Sequence, residues 1–222
     1  MLAPPPRRAL IVMARQPTPG TTKTRLCPPL SPEAAAALYA CFLADVIDHV
    51  RAVAGQIDGL VPGIAFTPPD ATAHFAALAP GFELAPQIGA TLGERLDGVL
   101  SGALARGYGQ VAAVNSDSPS LPVAFLVAAF AALDDPAVDV VLGPCDDGGY
   151  YLIGWKRPHP ALVRDVTMSA PDTLAQTLAV AGRVGLRVAL LPRWYDVDGP
   201  PDLARLAGDP GLGRHTRAFL AP

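Results

Sequence analysis

The chain alternates between short unbroken apolar runs and longer stretches in which apolar residues recur every three or four positions. Leu10-Ile-Val-Met-Ala14 is the first run, suited to a buried strand and far too short to span a membrane. Ser31-Pro32-Glu33 then carries the marks of a helix start: a capping hydroxyl, a proline fit for the first turn, and an acid at the positive end of the dipole. Leu38, Phe42, Val46 and Val50 share one face after it and Asp45 and Asp48 fall off that face, so the spacing predicts a helix to about Val53. Further strand runs are expected at 60–66, 82–86, 110–115, 138–142, 150–155 and 186–191. Helical stretches fall at about 69–78, from after 87 to 106, and at 122–133, 171–184 and 201–206. Pro62 and Gly63 suit an edge position or a bulge in the second strand.

Strands and helices alternating at this interval predict right-handed βαβ units. The fold class is therefore α/β, a three-layer α/β/α arrangement around a mainly parallel central sheet. The close succession of the runs at 138–142 and 150–155 leaves room for one antiparallel strand. A single domain over 1–222 is expected, with residues 1–8 as a flexible leader.

Composition narrows the classes. With 50% hydrophobic and 17% charged residues the chain has the balance of a compact globular protein. A net charge of −3 gives no basic face for nucleic acid. Three widely spaced cysteines, Cys27, Cys41 and Cys145, and four scattered histidines suggest neither a disulfide framework nor a zinc site. No secretory or membrane-spanning run is evident at the N-terminus, so a soluble, cytoplasmic protein is expected.

The candidate chemistry sits at strand ends. After the first strand the chain enters a loop stiffened by Pro17 and Pro19, pivots at Gly20, and carries Arg15, Lys23 and Arg25. A strand that delivers a glycine-containing cationic loop is one way α/β proteins hold phosphate, although such a loop alone also reads as a solvated turn. Lys23 stands out because Lys156 is the only other lysine. Acidic residues close three other strands: Ser116-Asp117 after 110–115, Asp146-Asp147 after 138–142, and Asp196 with Asp198 after 186–191. In open α/β sheets the ligand crevice lies beyond the carboxyl ends of the strands. Lys and Arg facing distal phosphates, with one or two carboxylates holding a Mg²⁺ (or Mn²⁺), make one coherent picture; each acidic turn alone also reads as structural. Gly148-Gly149-Tyr150 reads either as a close approach for a ligand ring or as a tight turn.

Two phosphate motifs are excluded. Thr22, where a P-loop requires glycine before the lysine, removes that reading, and Gly107/Gly109 and Gly211/Gly213 lack the third glycine of a dinucleotide turn. No G-x-S-x-G surrounds Ser116, Ser118 or Ser120, so a serine hydrolase has little support.

Five segments in order carry a family resemblance. They are Ala14-Arg-x-Pro-x-Pro-Gly-x-x-Lys-Thr-Arg-Leu26, Leu92-Gly-Glu-Arg95, Ser116-Asp-x-Pro119, Leu142-Gly-Pro-x-x-Asp-Gly-Gly-Tyr-Tyr-Leu-Ile-Gly154 and Asp196-Val-Asp-x-Pro-x-Asp-Leu203. Together they resemble the rSAM/selenodomain-associated transferase 1 family, whose members are often described as glycosyltransferases. The resemblance implies the GT-A, or nucleotide-diphospho-sugar transferase, fold, and more distantly a likeness to the guanylyltransferases for 2-phospho-L-lactate and molybdenum cofactor. By motif it implies that Ala14, Arg15, Gly20, Lys23, Arg25 and Ser116 contact nucleotide. Asp117 would hold the metal, and Asp198, with Asp196 beside it, would be the second metal ligand. Asp146, Asp147, Gly148, Gly149 and Tyr150 would face substrate. Asn115 and Ser118 depart from the usual Gly and Cys of that family, and Met168-Ser-Ala170 replaces its Trp-Ser-Thr segment.

The expected activity is nucleotidyl transfer from a nucleoside triphosphate to a small metabolite, with Lys23, Arg25 and Asp117 as catalytic residues. Glycosyl transfer from an NDP-sugar, with Asp146 or Asp147 as general base, is the alternative, and a non-catalytic nucleotide-binding module is a third. The expected partners are the nucleotide and a small acceptor, without nucleic acid or membrane; the oligomeric state is left open, a homodimer among the options.

Overall fold

The structure, a computed structural model, describes residues 6–221. Among them run β1 (Arg8–Arg15), α1 (Pro32–Ala54), β2 (Leu60–Thr67), α2 (Thr72–Leu78), β3 (Glu83–Pro86), α3 (Leu92–Ala105), β4 (Gln110–Val114), α4 (Val123–Asp134), β5 (Val140–Pro144), β6 (Tyr150–Trp155), α5 (Ala161–Arg164), α6 (Thr173–Arg183), β7 (Val188–Leu190), α7 (Pro200–Ala207) and α8 (Arg214–Leu220). Most of the expected leader lies outside the described residues. Arg8, placed in that leader by the sequence, opens β1 instead: it is buried, donating to Gln110 Oε1 at 2.9 Å and to Asp134 Oδ1 at 2.7 Å.

The strands form one seven-stranded sheet in the order β3-β2-β1-β4-β6-β5-β7. All neighbours are parallel except around β6, which runs antiparallel to both β4 and β5. This is the expected antiparallel insertion. The expected edge position of Pro62 is corrected: β2 lies between β1 and β3, and β3 is the edge. Pro62 is accommodated because β3 begins opposite Gly63, leaving Pro62 paired to β1 alone.

Period-two alternation divides the core. Leu10, Val12 and Ala14 of β1 face α1, α2 and α4; Ala9 and Ile11 face α3, α5 and α6. The start of α1 follows its predicted chemistry, and α3 adds a reciprocal cap that was not named from sequence. Ser31 Oγ accepts from Ala34 N–H at 3.2 Å, and at α3 Thr91 and Glu94 cap one another at 3.1 and 3.3 Å. A third cluster positions the site: Leu26, Leu38, Tyr39 and Phe42 pack against Tyr195, Val197, Leu206 and Leu212. It fastens the segment after β7 onto the loop after β1. No helix among the described residues is long and apolar enough to cross a membrane.

Candidate active site

A cleft of about 380 Å³ opens beyond the carboxyl ends of β1 and β4. Its walls carry Ala14, Arg15, Lys23, Arg25, Tyr39, Gln87, Arg95, Asn115, Ser116, Asp117 and Asp198. Cationic loop and acidic strand ends therefore meet in one place.

Lys23 is at its centre. Its backbone sits in the left-handed region, at φ 51°, one residue before a 3-10 turn over Thr24–Leu26. Its ammonium lies 2.8 Å from Asp117 Oδ1, 3.0 Å from Asp198 Oδ1 and 2.7 Å from the Val197 carbonyl. Burial alone would lower its affinity for the proton, but the Asp117 and Asp198 carboxylates outweigh that and hold it above the ordinary lysine value. Arg25, largely exposed, reaches Asp198 Oδ2 at 3.2 Å.

The two acidic turns are joined through the backbone: Val197 N–H donates to the Asp117 carbonyl at 2.9 Å. Val197 itself is buried in the third cluster, so its flanking residues Asp196 and Asp198 are set against Asp117 by packing. Asp196 is raised to about 7, first by burial and then by the charges of Asp147, Asp198 and Asp117. Oxygen atoms of Asp147 and Asp196 and the sulfur of Cys145 all lie within 4.8 Å of one another. Burial, followed by the charges of Asp196 and Asp147, pushes the Cys145 thiol up. What Asp147 and Asp196, with Asp117 and Asp198 joined to them through Val197, offer a cation is carboxylate oxygen, the donor set of Mg²⁺ or Mn²⁺. The residues fit such an ion.

A hydrogen-bond chain fixes the floor. Arg15 N–H donates to Tyr39 Oη at 3.1 Å, Tyr39 donates to Ser116 Oγ at 2.7 Å, and Ser116 donates to the Met13 carbonyl at 2.9 Å. Burial, then the charge of Asp117, pushes the Tyr39 phenol up to about 12. Gln87 donates both amide hydrogens to backbone carbonyls, Ala14 at 3.0 Å and Ala65 at 2.8 Å, tying β3 to the mouth of the cleft. On either side of Ser116-Asp117, Asn115 Oδ1 and Ser118 Oγ are buried without a hydrogen-bond partner.

Other expected residues lie elsewhere. Gly20 does not line the cleft; it has φ +76°, which glycine adopts without strain, and open space where a Cβ would be. Asp146 is engaged by Arg205 at 2.7 Å. A Cβ on Gly148 would stand 1.8 Å from the Pro171 carbonyl, so what approaches this backbone closely is the protein's own chain. Gly149 N–H donates to Asp147 Oδ1 at 2.8 Å, and Tyr150 packs into the second-face core with its hydroxyl on Met168. Of the two readings of Gly148-Gly149-Tyr150, the geometry is that of the tight turn. Asp147 alone of this segment joins the acidic group. Tyr39, Gln87 and Arg95 were given no role from sequence; Arg95 had a signal, its place in the Leu92–Arg95 motif, whereas Tyr39 and Gln87 looked like ordinary helix and loop residues.

The sequence matches the family described as "Uncharacterized protein conserved in bacteria (DUF2064)" over residues 51–170. No curated protein matches it in sequence. A solved structure from Desulfovibrio desulfuricans G20, provisionally described as a nucleotide-diphospho-sugar transferase, superposes with a TM-score of 0.85 at 29% identity, covering 97% of this chain and 94% of that one. CMP:2-keto-3-deoxy-manno-octonic acid synthetase complexed with CTP superposes with a TM-score of 0.56 at 13% identity, with 90% and 96% covered. Glucosyl-3-phosphoglycerate synthase from Mycobacterium tuberculosis, in complex with Mg²⁺ and UDP, gives 0.51 at 12% identity, with 96% and 77% covered. The fold is that of the nucleotide-diphospho-sugar transferases.

Proposed function

The chain belongs to the bacterial family DUF2064, and from that premise and the cleft's geometry we propose that it is a divalent-metal-dependent nucleotidyltransferase. The substrate would be a nucleoside triphosphate, and the acceptor a small phosphorylated or hydroxylated metabolite. We place it, on the five sequence motifs, among the rSAM/selenodomain-associated transferases.

One observation carries the reading: Arg15, Lys23, Arg25 and Arg95 share a single cleft with Asp117 and Asp198. Four cations against two carboxylates leave the cleft net positive, which suits a polyphosphate, and a triphosphate brings more charge to neutralise than an NDP-sugar. A divalent ion held by Asp117 with Asp198 or Asp196 would neutralise phosphate oxygens. The guanidinium of Arg25 is largely exposed, so it would exchange its surface contact with Asp198 for distal phosphates without uncovering a buried group. Arg15, anchored at its N–H by Tyr39, presents its side chain from a fixed backbone. No protein nucleophile is required. Ser116 and Tyr39 have their hydroxyls engaged, so the residues work by positioning an acceptor's oxygen and stabilising charge on the α-phosphate as pyrophosphate leaves.

The description of the Desulfovibrio protein favours a second reading, glycosyl transfer from an NDP-sugar. Its base would be Asp147, since Asp146 is paired with Arg205. The products decide. The protein is incubated with Mg²⁺, each NTP and a metabolite extract, and separately with NDP-sugars. Pyrophosphate from NTPs alone supports nucleotidyl transfer. Free NDP from a sugar nucleotide refutes it in favour of glycosyl transfer.

A further inference from the structure

The Lys23 ammonium is already surrounded by the protein's own acceptors. An ammonium carries three hydrogens, and three acceptors surround it: Asp117 Oδ1 at 2.8 Å, Asp198 Oδ1 at 3.0 Å and the Val197 carbonyl at 2.7 Å. Its side chain is only 8% exposed, against 76% for Arg25, which shares Asp198. The oxygens it engages include those that a divalent ion would use on Asp117 and Asp198. An ion of that kind binds carboxylate oxygens at about 2.0–2.6 Å. An ammonium and a divalent ion on the same pair of carboxylates would be close enough to repel each other strongly in a buried setting, so tight metal binding requires the lysine to move.

We propose that Lys23 is the resident counter-ion of the Asp117–Asp198 pair, and that metal and nucleotide bind cooperatively because both need Lys23 to leave it. This rests on the nucleotide reading above and adds an order to it. A free metal ion arriving alone must evict a buried lysine and leave that charge without a partner, which is costly. A metal arriving with a polyphosphate supplies the lysine with a new anion, so each ligand tightens the other by the same factor. Lys23 starts from a left-handed backbone at φ 51°, a conformation that non-glycine residues adopt at a cost. The loop thus holds the side chain inward against a local preference for other conformations.

Mn²⁺ binding followed by electron paramagnetic resonance tests this without turnover. Wild type is titrated with Mn²⁺ alone, then with each of the four NTPs and with UDP- and GDP-sugars. Lys23→Met is titrated in the same way, with Lys23→Gln, which keeps an amide donor for Asp117, used if the first does not give a cooperative melt. Wild type should bind free Mn²⁺ weakly, and one nucleotide should tighten it about tenfold or more. The folded lysine variant should bind free Mn²⁺ about tenfold more tightly than wild type and lose most of the gain from nucleotide. A folded variant that binds free Mn²⁺ no better than wild type, while wild type retains nucleotide-coupled binding, overturns the counter-ion role and leaves the nucleotide reading standing. Absence of Mn²⁺ binding by wild type with every nucleotide sinks that reading and this inference with it.

Discussion

Asp117 is where the charges of the site converge. It shares Lys23 with Asp198, and its carbonyl takes the N–H of Val197, so it is both a charge and a structural joint. Substituting its carboxylate by an amide keeps the joint, because the backbone bond to Val197 does not involve the side chain. Asp117→Asn should therefore remain folded, melting within a few degrees of wild type, and lose about 100-fold or more of metal-dependent turnover. A folded variant with near-wild-type turnover would remove Asp117 from the chemistry. This residue was legible in the sequence because a buried strand ends on it. Tyr39 was not, since a tyrosine on the apolar face of a helix looks like core until the register of α1 against β1 is known. Gln87 was hidden for the same reason: its two carbonyl partners belong to β1 and β2, and only the sheet order brings them together.

At the level of elements, the tightest demand is at the start of α3. A Cβ on Gly93 would stand 1.9 Å from the Val163 carbonyl on α5, whereas one on Gly102 of the same helix meets nothing closer than 3.7 Å. Gly93→Ala must push α3 and α5 apart and should destabilise the protein by about 1–3 kcal/mol. Gly102→Ala should be neutral or stabilise by up to about 1 kcal/mol through helix propensity. Paired thermal melts check the contrast, and equal melting of the two variants would contradict the packing. A pH effect belongs to the far edge of the sheet. Hydrogen bonds from the Arg187 side chain and N–H draw Asp139 down to about 2, just before β5 and β7 pair. The folded value is depressed, so the stability this pair contributes is present above the ordinary carboxylate value and is lost as pH falls through about 2. Asp139→Asn should be less stable than wild type at neutral pH, and the difference should close between roughly pH 4 and pH 2. A gap that is constant over that range would contradict it. Strand and helix positions were legible because most carry their own hydrophobic periodicity, reinforced at α1 by the Ser31 cap. The short α5 and the terminal α8 were not: α5 has a single turn, and α8 is started by Asp45 of α1, whose carboxylate accepts from His215 and Thr216 N–H at 2.9 and 2.8 Å. No local pattern announces a cap supplied from a distant helix.

Over the whole molecule, one arrangement makes the site. The sheet order sets the ends of β1 and β4 side by side, and the third cluster folds the segment after β7 back across them. Sequence alone placed cations on one loop and acids on others; it could not show that Lys23 lies between two of those acids, because ion pairs across more than 90 positions have no sequence period. The same convergence makes the central claim testable by binding alone. Calorimetric titration of wild type with each Mg²⁺-bound NTP and NDP-sugar is set against the Arg15→Ala/Arg25→Ala double variant, whose two side chains are exposed and free of core packing. Saturable binding of at least one NTP to wild type, about tenfold or more weaker in the double variant, is the predicted result. No saturable binding of any nucleotide, or binding equally tight in the double variant, would contradict a phosphate site on this loop.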